Sequence, residues 1–281
     1  MSAATSRCKG ARHQRATGEL HVALRRRGAA TVLAGLRQSG CLKARFPRSQ
    51  GDWLDCVTLN LSGGVAAGDR MDSAFAIGEG ARATIAGQAA ERFYRALPDA
   101  PPARLRTTIT VAPGGAAEWL PQLAILFDGC ALDRALSVDL AADAWFLGVE
   151  ALVFGRAAMG EIVAAGRLRD LIRIRRGEKL LLHDAALLQG EIAAHLARPA
   201  VARGARAVAT VFHVAPDAEA ALDRVRAALE QQPPAEAGAS AWNGLLLARI
   251  LAADGASLRT AIIAALQAIR GTRPLPRVWL C

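Results

Sequence analysis

Five carboxylates stand where an acid is expensive to place. Asp69 follows the glycine loop Gly63–Gly68, and Glu118 precedes Trp119-Leu120. Asp128 follows Ile125-Leu126-Phe127, Glu150 sits inside the apolar run Trp145 to Phe154, and Glu161 follows Ala158-Met159-Gly160. A buried carboxylate must be paired or used, because desolvating an isolated charge costs more than a fold readily supplies. Two chemistries would justify these acids. One is ion pairing with arginine, for example Glu150 or Glu161 with Arg156. The other is a water-filled path for a hard or borderline cation, held loosely by oxygen ligands. Asp69 and Glu161 are the preferred members of such a path, because each adjoins a glycine that lets backbone and solvent approach.

Other chemistries are poorly served. Cys8, Cys41, Cys56, Cys130 and Cys281 make an odd number with no CxxC, so neither a zinc finger nor a disulfide framework is indicated. The histidines show no HxH, HxxxH or HExxH, which disfavours a zinc site built from one local segment. Gly63 and Gly68 have the glycine spacing of a phosphate-binding loop. Asp69 and Arg70 then stand where that loop needs lysine and a hydroxyl, and an acid there repels phosphate. Gly78-Glu79-Gly80 reads as a hairpin turn. No GxSxG nucleophile elbow is present, and His183 after Leu180-Leu181-Leu182 reads as a structural histidine.

The elements that must carry these residues are mostly strands. Period-2 apolar alternation marks Met71–Ile77, Leu105–Val111, Leu136–Leu140 and Val208–Val214, each read as a strand buried on one face. Gly63-Gly64, Gly78–Gly80, Pro113-Gly114-Gly115, Asp128-Gly129 and Arg176-Gly177 punctuate them. Strand and turn alternate from Leu20 to about Val214, which predicts a sandwich, a barrel or a stack of strands without a fixed-length repeat. Helical spacing enters late. Asp217 is placed to cap a helix running to about Glu230, and Ser257 a second ended by Gly271 and Pro274. Between them Leu245–Leu251 reads as one more strand.

The 281 residues are 52% hydrophobic and 21% charged, a globular composition with a net charge of +10. Residues 1–50 carry 11 basic residues and one acid, Glu19, while the remainder holds 24 of each sign. The reading is therefore a flexible basic tail at 1–17 and a single domain at 18–281. A neutral body disfavours a dedicated nucleic-acid binder. No apolar stretch reaches membrane-spanning length and the N-terminus lacks a secretory apolar core, so no membrane association and a cytoplasmic location are expected.

Five segments in order resemble the UreD (UreH) family of urease accessory proteins. They are LSGGVAAGDR (61–70), GQAAERFYRA (87–96), EWLPQLAILFDG (118–129), FLGVEALVFGRAAMGE (146–161) and PLPRVWL (274–280). The chain departs from the family pattern at Leu61-Ser62, at Ala67, at Ala86-Gly87 and at Glu91, which stands where threonine or serine is usual.

The resemblance implies a mostly-β, β-helix-like or stacked-sheet domain with two α-helices toward the C-terminus. It implies a non-catalytic scaffold for nickel insertion into urease, with no tightly bound cofactor and only transient Ni2+. It implies that the urease apoprotein and a UreF-type accessory protein are partners, with a UreG-type GTPase recruited through the latter and an internal tunnel for the ion. Asp69, Glu118, Asp128, Glu150 and Glu161 are then candidate carboxylates of the nickel path. Two rival readings are a β-rich hydrolase, which would need a nucleophile–base pair, and a basic nucleic-acid module, which would need basic strands interleaved with aromatics.

Overall fold

The structure, a computed structural model, describes residues 14–48, 51–232 and 235–280. Most of the expected basic tail, residues 1–13, lies outside the described residues, as do Pro233-Pro234. In chain order the strands begin with β1 (Thr17–Arg27), β2 (Ala30–Gly40), β3 (Leu42–Arg45), β4 (Trp53–Asn60), β5 (Arg70–Ile77) and β6 (Arg82–Gly87). Next come β7 (Glu91–Phe93), β8 (Ala103–Val111), β9 (Ala116–Leu120), β10 (Ala124–Leu126), β11 (Ala131–Leu140) and β12 (Trp145–Phe154). The last are β13 (Ala165–Arg176), β14 (Lys179–Glu191), β15 (Ala207–Val214), β16 (Glu236–Trp242) and β17 (Leu245–Ala252). Among the described residues three α-helices interrupt them: α1 (Ile192–Ala197), α2 (Leu222–Glu230) and α3 (Gly255–Arg270).

The strands form two sheets. The first, of seven strands, runs β14-β13-β11-β8-β5-β1-β2. The second, of ten, runs β16-β17-β15-β12-β9-β6-β4-β3, with β10 beside β12 and β7 beside β10. Between β4 and β13 the chain winds from sheet to sheet. β5, β8, β11 and β13 pair in parallel in the first sheet, and β4, β6, β9 and β12 in the second. This is the coil of a β-helix. Its rungs are unequal: Arg70 pairs with Arg104, Arg104 with Asp133, and Asp133 with Arg169, so no fixed repeat is visible in the sequence. Antiparallel hairpins close the ends, β1 with β2 and β13 with β14 in the first sheet and β15-β17-β16 in the second.

The coil corrects one local expectation. Gly78-Glu79-Gly80 does not close a hairpin but carries the chain from β5 in the first sheet to β6 in the second. The turn signal is real; its partner strands are set by the non-local parallel pairing.

Two hydrophobic cores result. One fills the space between the sheets, around Leu20, Phe75, Ile109, Leu132, Phe146 and Phe212. The other lies between the second sheet and the helices, around Leu147, Val211, Leu246, Leu258 and Ile262. β12 and β15 are therefore buried on both faces, which is why β12 reads as a continuous apolar run. For Val208–Val214 this replaces the one-face reading: Ala209, Val211 and His213 face the helical side and are buried too. Gly148 on β12 is needed because a Cβ there would lie 2.0 Å from the Phe212 ring.

Helix α3 is capped earlier in the chain than Ser257. Asp254 is its cap, with its side-chain oxygen accepting from the Ser257 backbone N–H at 2.8 Å. Asp217 makes no capping bond; a 3-10 turn at Ala218–Ala221 precedes α2 instead. The short α1, which buries Ile192 and Leu196, breaks the β texture without a signal in the apolar pattern.

Candidate functional site

The five acids occupy four different settings. Asp69 is a brace: one carboxylate oxygen accepts from the Ala16 N–H at 2.8 Å and the other from the Ala66 N–H at 2.7 Å. It pins the segment entering β1 to the glycine loop. Asp128 and Glu161 are brought together. Asp128 accepts from Arg95 and from the Ala165 N–H, and Glu161 accepts from the Arg156 side chain at 2.8 Å and, more distantly, from the Asp128 N–H. Hydrogen bonding holds both carboxyls below the usual range, from the Ala165 N–H first for Asp128 and from Arg156 first for Glu161. The pairing of Glu161 with Arg156 is the one read from the sequence.

Glu118 is fully buried and holds the C-terminus. It accepts from Thr84 Oγ1 at 2.7 Å and from the guanidinium groups of Arg270 and Arg273. Arg270 is the last residue of α3, and Arg273 stacks 3.7 Å from the Trp53 ring centre. Two further bonds complete this clasp. Trp279 Nε1 donates to the Leu120 carbonyl at 3.0 Å, and Gln122 Nε2 donates to the Val278 carbonyl at 2.8 Å. The EWLPQ block and the PLPRVWL ending are thus two halves of one contact.

Glu150 alone of the five lines the cavity between the sheets. This cavity has a volume of about 290 Å³ and carries Asn60, Glu91, Ser73, Thr107 and Arg134 in its wall. A second space of about 90 Å³ shares Glu150 and continues to Asp170, Asp184 and Arg249. The strands position these groups by parity. Arg134 sits between Leu132 and Leu136, and Asp170 between Leu168 and Ile172, so each takes an inward place on a rung where the register sets them side by side. From the second sheet Glu150, Thr210 and Arg249 form the facing row.

The result is a polar seam through an apolar sandwich. Arg134 Nη1 lies 2.6 Å from Glu150 Oε2, and its other nitrogens bind Asp170 at 2.9 and 2.6 Å. Arg249 reaches Thr210 at 2.9 Å and Asp184 at 2.8 Å. Trp119 Nε1 donates to Glu150 Oε1 at 2.8 Å, whereas Oε2 is buried and accepts no well-directed hydrogen bond among the described residues.

At the other end Asn60 Nδ2 donates to Glu91 Oε2 at 3.1 Å and to the Gly64 carbonyl at 3.2 Å. Tyr94 Oη donates to the Gly63 carbonyl. A Cβ on Gly64, whose φ is 133°, would lie 2.5 Å from the Tyr94 ring, so this corner requires glycine.

Burial pushes the Glu91 carboxyl up, with Asn60 opposing. Burial also pushes Glu150 up; Arg134 opposes this and Asp170 adds to it. Both carboxylates are poised to gain from a cation and neither is fully neutralised by an arginine of its own. The two buried thiols among the described residues are poor soft ligands: burial pushes Cys56 up to about 12 and Cys130 up to about 11. Among the described residues no three His, Cys, Asp or Glu side chains cluster closely enough to hold a metal ion. None of their helices is long and apolar enough to cross a membrane.

The sequence reading missed Glu91, Asn60, Arg134, Asp170 and Asp184 as site residues. A signal existed for two of them: a charge at the apolar parity of a period-2 strand, Arg134 in β11 and Asp170 in β13. Glu91 stood out only as a departure within its block.

Residues 16–280 match the family model described as UreD urease accessory protein. A urease accessory protein UreD of Methylobacterium sp. (strain 4-46) is 48% identical over 256 residues, covering 90% of each chain. A urease accessory protein UreD of Azorhizobium caulinodans is 44% identical over 268 residues, covering 95% of this chain and 97% of its own. The one from Sinorhizobium medicae is 45% identical over 268 residues, covering 95% and 96%.

Proposed function

The chain belongs to the UreD family of urease accessory proteins, and from that premise we propose that it is a non-catalytic scaffold that passes Ni2+ toward the urease active site through the space between its two sheets. The observation that carries this reading is the inter-sheet cavity with Glu91 and Glu150 in its wall, continued past Glu150 to Asp170 and Asp184. Four of the five family-like segments border it, through Gly63-Gly64, Gly87–Phe93, Trp119 with Pro121-Gln122, and Glu150.

The donor set suits a conduit. Carboxylate, amide and hydroxyl oxygens bind a borderline ion weakly, and weak sites release what they take up. The isolated chain should hold nickel with a dissociation constant on the order of micromolar or weaker. The partners in this reading are the urease apoprotein and a UreF-type protein, with a UreG-type GTPase recruited through the latter, in the cytoplasm. The other four acids singled out in the sequence have structural partners: Asp69 and Glu118 hold chain segments together, and Asp128 and Glu161 pair with arginines.

Co-expression with urease subunits and the UreF-type protein tests the proposal. Glu91→Gln and Glu150→Gln should leave the complex assembled while the urease produced has lower nickel content and activity. An assembled complex with full nickel content in both variants and in their combination contradicts it.

A further inference from the structure

The outer face of the first sheet carries a second polar site that shares no residue with the inter-sheet cavity. Arg70, Arg104, Asp133 and Arg169 lie side by side on β5, β8, β11 and β13. Adjacent strands are about 4.8 Å apart, so the row is about 14 Å long. Arg167 stands two positions earlier on β13, and these four arginines surround a cup of about 270 Å³ whose rim includes Gly68 and Pro101-Pro102. Arg15 packs over Gly68, where an added Cβ would lie 3.2 Å from its Nε.

Among the described residues, Asp133 is the one acid in the wall of the cup. Asp133 is already engaged by Arg106 at 2.8 Å and by Arg169 at 3.2 Å. The guanidinium groups of Arg15, Arg70, Arg104 and Arg167 make no hydrogen bond or ion pair among the described residues. Like charges set directly opposite on neighbouring strands are destabilising, as Arg70 and Arg104 are here. Their repulsion is relieved by an anion that bridges them. Guanidinium forks match phosphoryl oxygens in pairs, and a walled cup of this size fits a small ion better than an extended chain. A cation on its way through the protein is repelled from this face.

We propose that this cup binds a multiply charged phosphate-bearing small molecule, about two phosphoryl groups in extent, held by Arg70, Arg104 and Arg167 with Arg15 closing over Gly68. The site is independent of nickel transfer and of the inter-sheet carboxylates.

The test is calorimetric titration of the full-length chain with pyrophosphate in 0.15 M salt, roughly the physiological ionic strength. Saturable one-to-one binding is expected, weakened about tenfold by Arg70→Ala or Arg104→Ala, the loss of one charge-assisted contact. Both positions are exposed, so folding should be unaffected, and circular dichroism checks this. Arg37→Ala, which removes an exposed partner of Glu19 on β2, should leave binding unchanged. Absence of saturable binding overturns the proposal, as does equal weakening by all three substitutions. A hexaglutamate peptide that binds the cup and is not displaced by pyrophosphate also overturns it, in favour of an acidic protein segment.

Discussion

Glu118 and Glu150 are both buried glutamates on the second sheet, yet they sit in opposite kinds of surroundings. Glu118 faces Thr84, Arg270 and Arg273, and both of its oxygens accept strong bonds. Glu150 shares its one arginine with Asp170 and keeps an oxygen without a well-directed donor. The first carboxylate is saturated and holds a chain end in place. The second is under-satisfied and lines a cavity. What separates a structural acid from a candidate transport acid here is not burial but how many donors meet it.

The largest effect that would sharpen this comparison is Glu118→Ala. It strands the buried Arg270 guanidinium and frees the C-terminal segment, at a cost of about 3–5 kcal/mol. Urea denaturation should show the loss, and proteolysis should cut first near Pro274–Leu280. Near-normal stability would break the view that Glu118 is a clasp.

Glu150→Gln should cost less, about 1–3 kcal/mol, because Trp119 retains an acceptor and Arg134 retains Asp170. A loss as large as that of Glu118→Ala would erase the distinction between the two acids.

The smallest effect is expected at Glu91. Its carboxyl is raised in the folded state, so the folded chain holds that proton longer than the unfolded chain does. Stability from this group is present below the ordinary glutamate value and falls as pH rises from there to the raised folded value. Glu91→Gln should remove that decline and change stability at neutral pH by less than about 1 kcal/mol. Asp128 has the opposite sign: its lowered carboxyl contributes above the unfolded value, and that contribution is lost as pH falls through the folded one. Melting curves between acid and neutral pH, recorded for Glu91→Gln and the parent chain, check the slope. An unchanged slope contradicts the assignment.

Much of the fold was legible because its strands obey parity. Met71–Ile77, Leu105–Val111, Leu136–Leu140 and Val208–Val214 all lie on strands, and the late change of period marks α2 and α3. The pairing was not legible, since a coil that alternates sheets joins strands through register and not through adjacent turns; the corner at Gly78–Gly80 shows this. β16 and α1 escaped for lack of a strong apolar period.

The site was half legible. Acids in apolar runs are visible in a sequence, but whether donors meet them depends on distant strands. Glu118 meets Arg270 across 152 positions, and Glu150 meets Arg134 across the inter-sheet space. The arginines of the outer cup show the same limit, because each looks like an ordinary solvated charge until the rungs align them.

The proposed passage of an ion between the sheets can be tested without touching a carboxylate. Thr107 points into the cavity from β8, while Thr110 on the same strand faces outward. Thr107→Phe, or Ser73→Phe on neighbouring β5, should fill the cavity; Thr110→Phe is the control of equal bulk. The direct measurement is nickel per urease active site in complexes purified after co-expression with each variant. Assembled complexes with nickel-poor urease are expected for the two inward substitutions, and full loading for Thr110→Phe. Full loading with Thr107→Phe and Ser73→Phe in assembled complexes would contradict passage between the sheets.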